Sequence, residues 1–167
     1  WHFKGTLLGI CLLNADKSYF VKGRLGIITD TLDITGTIQK QQSIESTVSQ
    51  ISDAVLSAQG KLILPVPVYS AVKTSGMKLC DKARRGELFQ TPQREMTFFN
   101  VKVKEINDHW FSAYVDCRKG GYIRSWVQHI GEKLGCGGTV EELRRLKSGH
   151  YHVDQSVSWD ALNKGDL

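Results

Sequence analysis

The stretch that most restricts how this chain can fold runs from Cys117 to Leu134. An apolar run ends at Cys117, two glycines follow at 120 and 121, and a new periodicity begins at Ile123. Ile123, Trp126, Val127, Ile130 and Leu134 recur at i, i+3, i+4, i+7 and i+11, which is one face of an α-helix. The segment before it, Trp110 to Cys117, alternates instead: Phe111, Ala113, Val115 and Cys117 face one way, as on a strand. A strand therefore feeds a glycine turn and then an amphipathic helix. Arg124 falls in the first turn of that helix, at the edge of the apolar stripe. Its guanidinium can reach over the end of a sheet while the helix stays anchored in the core. The electropositive helix start favours an anionic partner such as a carboxylate or a phosphate. The plain alternative is an arginine on a solvated first turn.

Upstream, Ser18 to Thr29 alternates as a strand, with Tyr19, Val21, Leu25 and Ile27 on one side. Thr37 to Gln39 resumes as a short strand. Ser43 is placed to cap a helix carrying Ile44, Val48, Ile51 and Val55 and closed by Gly60. Pro65 and Pro67 keep Leu62 to Tyr69 extended, and Met77 to Arg85 reads as a short helix. Met96 to Ile106 pairs with Trp110 to Cys117 across an Asn107-Asp108 turn. After the glycine-rich break at 135–138, Thr139 and Glu142 stand in capping-box relation, which predicts a helix over T-V-E-E-L-R-R-L. Ser148-Gly149 ends it, and His150 to Trp159 returns as a strand. Hairpin-linked strands mixed with single helices predict an α+β fold with a mixed, largely antiparallel central sheet and flanking helices.

The 167 residues suit one domain, 1–167, with a sizeable core. No apolar run nears the roughly 18 residues of a membrane span, and no signal-peptide pattern opens the chain. No membrane partner is expected. The four cysteines are widely spaced with no C-x-x-C pair, so neither zinc nor a disulfide framework is expected, and reduced thiols in a cytoplasm are. His150 and His152 read as strand alternation rather than metal ligands. The net charge of +5 is uneven: Cys117 to Gly149 holds seven Lys and Arg against three Glu. Such a basic face suits a polyanion, nucleic acid above all.

Four ordered motifs carry a more specific signal. The first is Ala15-Asp16-Lys17-Ser18-Tyr19 with Gly23-Arg24-Leu25-Gly26 and Thr29-Asp30-Thr31. The second is Tyr69-Ser70-Ala71-Val72-Lys73 with Gly76 and Ala83-Arg84-Arg85-Gly86. The third is Lys119 to Ser125, K-G-G-Y-I-R-S. The fourth runs from Leu134-Gly135-Cys136-Gly137 through Leu143-Arg144-Arg145 to Ser148-Gly149. In this order, over roughly Leu13 to Leu162, the chain resembles the TruB family of tRNA pseudouridine synthases, which modify uridine 55 in the T loop.

The resemblance implies a pseudouridine synthase fold, an isomerase that needs no cofactor and no metal, and the T arm of tRNA as partner to a monomer. The target uridine would be flipped out of its loop, its glycosidic bond cut, and the uracil rejoined through carbon; flipping costs about a few kcal/mol. By the same resemblance Tyr19 stacks on the uracil and takes part in proton transfer, and Arg124 pairs with the catalytic aspartate. Lys73, Tyr122 and Leu143 would line the pocket, and Arg144, Arg145 and Lys147 would meet RNA phosphates. The chemistry agrees: an aromatic face stacks on a base for about 1–3 kcal/mol, and an arginine fork keeps a carboxylate ionised. Each residue also has an ordinary reading, with Tyr19 a half-buried strand residue, Lys73 a solvated lysine and Leu143 plain core.

The nucleophilic aspartate is the chief departure. The family pattern G-T-L-D-P-x-A-x-G would place it directly after Leu7, yet the chain reads Gly5-Thr6-Leu7-Leu8-Gly9. About ten further residues of the pattern, enough for an added helix, are absent between Leu12 and Leu13. Asp16 is the first acidic residue and belongs to the Tyr19 motif. Either the sequence joins pieces of a longer protein, with a mobile active-site loop left out, or a deletion has removed the chemistry. The first predicts an enzyme; the second predicts an inactive module that binds or helps fold tRNA. Gly121 also stands where the family has threonine. The family's C-terminal RNA-binding domain is expected to be lacking after Leu162, and its N-terminal part to be incomplete.

Overall fold

The computed structural model describes residues 14–74, 77–85 and 90–156. The motif positions Gly5 to Leu8, Gly76 and Gly86, and the end of the strand expected over His150 to Trp159, lie outside the described residues.

Period-2 patterning does its work in the middle of the molecule. β1 (Lys17–Leu25) buries Tyr19, Val21, Gly23 and Leu25 and leaves the residues between them half-exposed. β7 (Gln93–Ile106) and β8 (Trp110–Cys117) form the expected hairpin. The Asn107 side-chain oxygen accepts from the backbone N–H of His109 (2.8 Å) and of Trp110 (3.0 Å), which closes the turn. With β4 (Gly60–Pro65), β9 (Gly138–Ser148) and β10 (Tyr151–His152) they make one six-stranded sheet in the order β10-β9-β1-β8-β7-β4. Every ladder in it is antiparallel. Two ribbons lie beside it: β2 (Ile27–Thr29) with β3 (Ile38–Gln41), and β5 (Lys73–Thr74) with β6 (Met77–Lys78). Helices α1 (Val48–Ser57), α2 (Leu79–Arg84) and α3 (Ile123–Lys133) complete an α+β fold.

One expected helix is a strand. Thr139 to Leu146 pairs along β1 as β9, from Gly138 opposite Leu25 to Ser148 opposite Lys17. The Thr139 hydroxyl donates to the Ile27 carbonyl (2.9 Å) instead of capping a helix. Thr139 and Val140 are buried, and the charged residues after them alternate between the two faces of the sheet. Smaller shifts have equally local causes. α1 starts after Thr47, not Ser43, because Thr47 and Gln50 form a reciprocal capping box. Met77 and Lys78 pair as β6 before α2 begins at Leu79. His152 ends β10, and Val153–Gln155 turns as a 3₁₀-helix.

α3 is the element that positions the rest. Trp126 is fully buried against Phe98 and Phe111, with ring centroids 6.0 and 6.1 Å away. Its indole N–H donates to the Ala58 carbonyl at the end of α1, and the Ser125 hydroxyl donates to the Pro65 carbonyl (2.6 Å) at the end of β4. The far end of α3 rests backbone to backbone on the 135–138 turn, where the Gly131 carbonyl accepts from the N–H of Cys136 (3.0 Å) and of Gly137 (2.9 Å).

Candidate functional site

The start of β1, the end of β8 and the first turn of α3 meet at one end of the sheet. Between them lies a cleft of about 700 Å³. Its wall is built by strand alternation. Tyr19 of β1 is opposite Arg145 of β9, and Val21 is opposite Leu143, so Tyr19, Leu143 and Arg145 share the cleft face. The turn after β8 closes over it: Gly121 donates to the Arg118 carbonyl (3.1 Å), and Gly120 takes a positive φ of 84°. Tyr122 and Arg124 then enter at the start of α3.

Tyr19 is 8% exposed. Its hydroxyl accepts a hydrogen bond from Arg145 Nε at 3.2 Å, and the Arg145 guanidinium carbon lies 5.5 Å from the ring centroid. Burial pushes the phenol above its usual range while the Arg145 charge pulls the other way, so Tyr19 is neutral near pH 7. A neutral phenol offers a flat face and a hydroxyl able to exchange a proton.

Arg124 is tied down by two backbone carbonyls. One guanidinium nitrogen donates to the Thr31 carbonyl (3.0 Å) and the other to the Tyr69 carbonyl (2.9 Å). These bonds join α3 to two loops carrying the first and second motifs. Among the described residues Arg124 has no carboxylate partner. Nor does any described carboxylate line the cleft. Five cations do: Lys17, Arg118, Lys119, Arg124 and Arg145. Such an excess favours a carboxylate or phosphate entering from outside.

The structure thus brings Tyr19, Tyr122, Arg124, Leu143 and Arg145 to one cleft. Leu143 is 45% exposed at its wall, which fits a cleft lining better than core. It separates Arg144, whose opposite residue on β1 is Phe20, on the other face of the sheet. Lys147 stands opposite Ser18, in a groove shared with Asp16, Asp116 and His150. Lys73 lies in β5, and its side chain is outside the described residues. Sequence reasoning did not single out Lys17, Arg118 and Lys119, although Lys119 opens the K-G-G-Y-I-R-S motif and lies two residues past a strand end. Lys119 donates to the Asn14 side-chain oxygen across the cleft mouth. Among the described residues, no cluster of His, Cys, Asp and Glu could hold a metal ion. No described helix is long and apolar enough to cross a membrane.

Cys117 supports the turn from below. A Cβ added at Gly121 would lie 2.9 Å from Cys117 Cβ and 3.0 Å from its Sγ, so glycine here accommodates the cysteine, and a threonine would press on it. Burial pushes the Cys117 thiol up from about 9 to about 11. The unfolded thiol ionises near pH 9 and the folded one near 11, so the unfolded state holds fewer protons in that window and stability falls as pH rises through it. The expected loss is roughly 2–3 kcal/mol between pH 8 and pH 11. Urea melts at the two pH values check it, with Cys117→Ala expected to flatten the difference.

A sheet end with tyrosine walls and a cationic rim has the shape and charge that suit a flat base on a phosphate chain, set in an α+β fold. Comparison with known proteins makes this specific. The model of the TruB family pseudouridylate synthase N-terminal domain matches residues 4–123, and that of the tRNA pseudouridylate synthase B C-terminal domain matches residues 124–165. The chain belongs to the TruB family of pseudouridylate synthases.

It is 38% identical over 160 residues to tRNA pseudouridine synthase B of Bdellovibrio bacteriovorus, covering 95% of this chain and 52% of that protein. It is 34% identical over 164 residues to the Clostridium acetobutylicum protein of the same name, covering 98% and 57%. The chain spans about half the length of these curated relatives. Among solved structures, its fold is similar to a chain in a Cbf5-Nop10-Gar1 complex (TM-score 0.66, 24% identity, covering 98% of this chain and 41% of that one). A second is an H/ACA RNP bound to a substrate RNA containing 2'-deoxyuridine (TM-score 0.63, 21% identity, 98% and 40%). The boundary between the two matched segments falls in the first turn of α3, yet β9 of the second segment pairs with β1 of the first.

Proposed function

We propose that this chain is the uridine-binding part of a tRNA pseudouridine synthase that isomerises uridine 55 in the T loop. The observation that carries this is the meeting of Tyr19, Tyr122, Arg124 and Leu143 in one cationic cleft with no described carboxylate. The flipped uracil stacks on Tyr19, Leu143 keeps water from it, and the cations at the rim hold the flanking phosphates. Lys119 and Arg118 are the best placed for that second task, being exposed at the mouth. The nucleophile is an aspartate carried by a segment following Leu7, and the positive end of the cleft keeps it ionised. The Tyr19 hydroxyl, neutral beside Arg145, serves the proton transfers. A cytoplasmic monomer acting on the T arm, with neither metal nor cofactor, belongs to the same reading.

The test compares two proteins on an unmodified tRNA transcript. One is the chain as it stands. The other carries the G-T-L-D-P-x-A-x-G stretch of the family completed after Leu7. The completed protein is expected to form pseudouridine at position 55, and its Asp→Asn variant none. The chain as it stands is expected to bind a T-arm hairpin in preference to a scrambled one without making product. Equal binding of the two hairpins, or product elsewhere in the tRNA, would overturn the reading. Binding by the completed protein without product would favour an RNA-holding module.

A further inference from the structure

Strand alternation gives the β9–β1–β8–β7 sheet a second face, and that face carries a row of side chains in register. Arg144 of β9 is opposite Phe20 of β1, Phe20 is opposite Tyr114 of β8, and Tyr114 is opposite Lys102 of β7. Four adjacent strands spaced about 4.8 Å apart make the row roughly 14 Å long. Its centre is aromatic: the rings of Phe20 and Tyr114 lie 5.6 Å apart, tilted at 56°. Its ends are cationic. Lys104 Nζ adds a third charge 5.4 Å from the Phe20 ring centroid. Tyr114, Lys102, Lys104 and Arg144 are all exposed.

The acidic groups nearby are mostly engaged. Glu141 pairs with Lys22 (2.8 Å) and Arg24 (3.8 Å), Glu142 lies 3.9 Å from Lys22, and Asp116 accepts from Asn100 (2.8 Å). Glu105 reaches Lys104 only at 4.0 Å. Lys102 and Arg144 have no acidic partner among the described residues. A protein strand or a second copy would meet two unneutralised charges bracketing a small apolar centre, at a desolvation cost. A single-stranded polynucleotide matches both parts of the row, with bases for the rings and phosphates for the cations.

We propose that this row is a second RNA-binding surface, which stacks an unpaired base on Tyr114 and Phe20 and holds the neighbouring phosphates with Arg144 and Lys102. It lies across the sheet from the cleft. Tyr19 and Arg145 serve one side, and their chain neighbours Phe20 and Arg144 serve the other. The surface would let the protein grip an unpaired segment of an RNA while the cleft holds another part, and it does not depend on the cleft's chemistry.

The experiment titrates the full chain against a short fluorescein-labelled oligoadenylate and reads anisotropy. Tyr114→Ala is expected to weaken binding roughly tenfold, the loss of one stacked base, while Tyr114→Phe keeps the ring and binds nearly as well as the parent. Arg144→Gln and Lys102→Gln should each weaken binding about threefold and make its salt dependence shallower. Lys40→Gln, on the exposed strand β3, should leave it unchanged. Thermal melts by circular dichroism confirm that each variant is folded. Ultraviolet crosslinking should place the oligonucleotide on the peptide holding Tyr114. Binding unaltered by Tyr114→Ala, or crosslinks confined to cleft peptides such as that of Tyr122, would overturn the proposal. So would sedimentation showing that Tyr114→Ala abolishes self-association and leaves RNA binding intact. Loss of T-arm selectivity with oligoadenylate binding preserved would sink the cleft reading and leave this one standing.

Discussion

Arg124→Met is expected to destabilise the domain by about 3 kcal/mol and to abolish its preference for a T-arm hairpin. The side chain makes two charge-assisted hydrogen bonds, to the carbonyls of Thr31 and Tyr69. A bond to a charged group contributes about 1.5–3 kcal/mol, and a carbonyl left without its donor inside the fold adds a desolvation cost. Arg124 is only half-buried, so water recovers part of that loss. Arg124→Lys should restore the charge but less than half of the stability. An ammonium is a point charge on a flexible stem and lacks the planar fork that spans two carbonyls. Urea unfolding of the three proteins measures the first effect, and hairpin competition measures the second. Unchanged stability in Arg124→Met would mean that α3 is held by Ser125 and Trp126 alone. The geometry at the cleft would then need another explanation.

Gly131→Ala should be still more damaging, with a loss of at least about 3 kcal/mol, or failure to fold. In an exposed helix interior the same change stabilises by roughly 1 kcal/mol. The sign reverses because a Cβ at Gly131 would sit well inside van der Waals contact with the backbone of Gly137 and Gly138. Backbone cannot rotate away as a side chain can. The same turn hydrogen-bonds to the Gly131 carbonyl, so pushing it aside also breaks the bonds from Cys136 and Gly137. Gly135→Ala is the control. Gly135 has a positive φ of 75° but nothing within 4 Å of an added Cβ, so only the left-handed strain of about 1–2 kcal/mol applies. Equal melting temperatures for the two variants would refute the close-approach argument.

Much of the fold was legible because its central elements have strong local patterns. The stripe from Ile123 to Leu134 needed only helical geometry, and Phe111 to Cys117 only the alternation of a strand. Asn107 closes its turn by a bond to neighbours two and three residues away. β9 departs from its local helical pattern for a physical reason. Thr139, Glu142 and the E-E-L-R-R-L run satisfy a capping box and favourable i, i+3 and i, i+4 charge pairs, all of them local terms. Against them stands a ladder to β1 that spans Gly138 to Ser148, with partners more than a hundred residues earlier in the chain. Propensity is a weak prior when pairing on that scale competes with it.

The candidate site divides in the same way. By itself the sequence determined which residue types are present and their local phase: a tyrosine on the inward side of β1, an arginine one position into α3, and a basic run near the end of the chain. Only the tertiary structure decided that Tyr19 and Arg124 border a common cleft, and that the Arg124 fork reaches Thr31 and Tyr69. It alone parted Arg144 from Arg145, neighbours that a helix would have kept within about 100° of each other. Local periodicity is set by bonds between near neighbours, whereas facing and partner choice depend on contacts between segments far apart in sequence, which no short window contains.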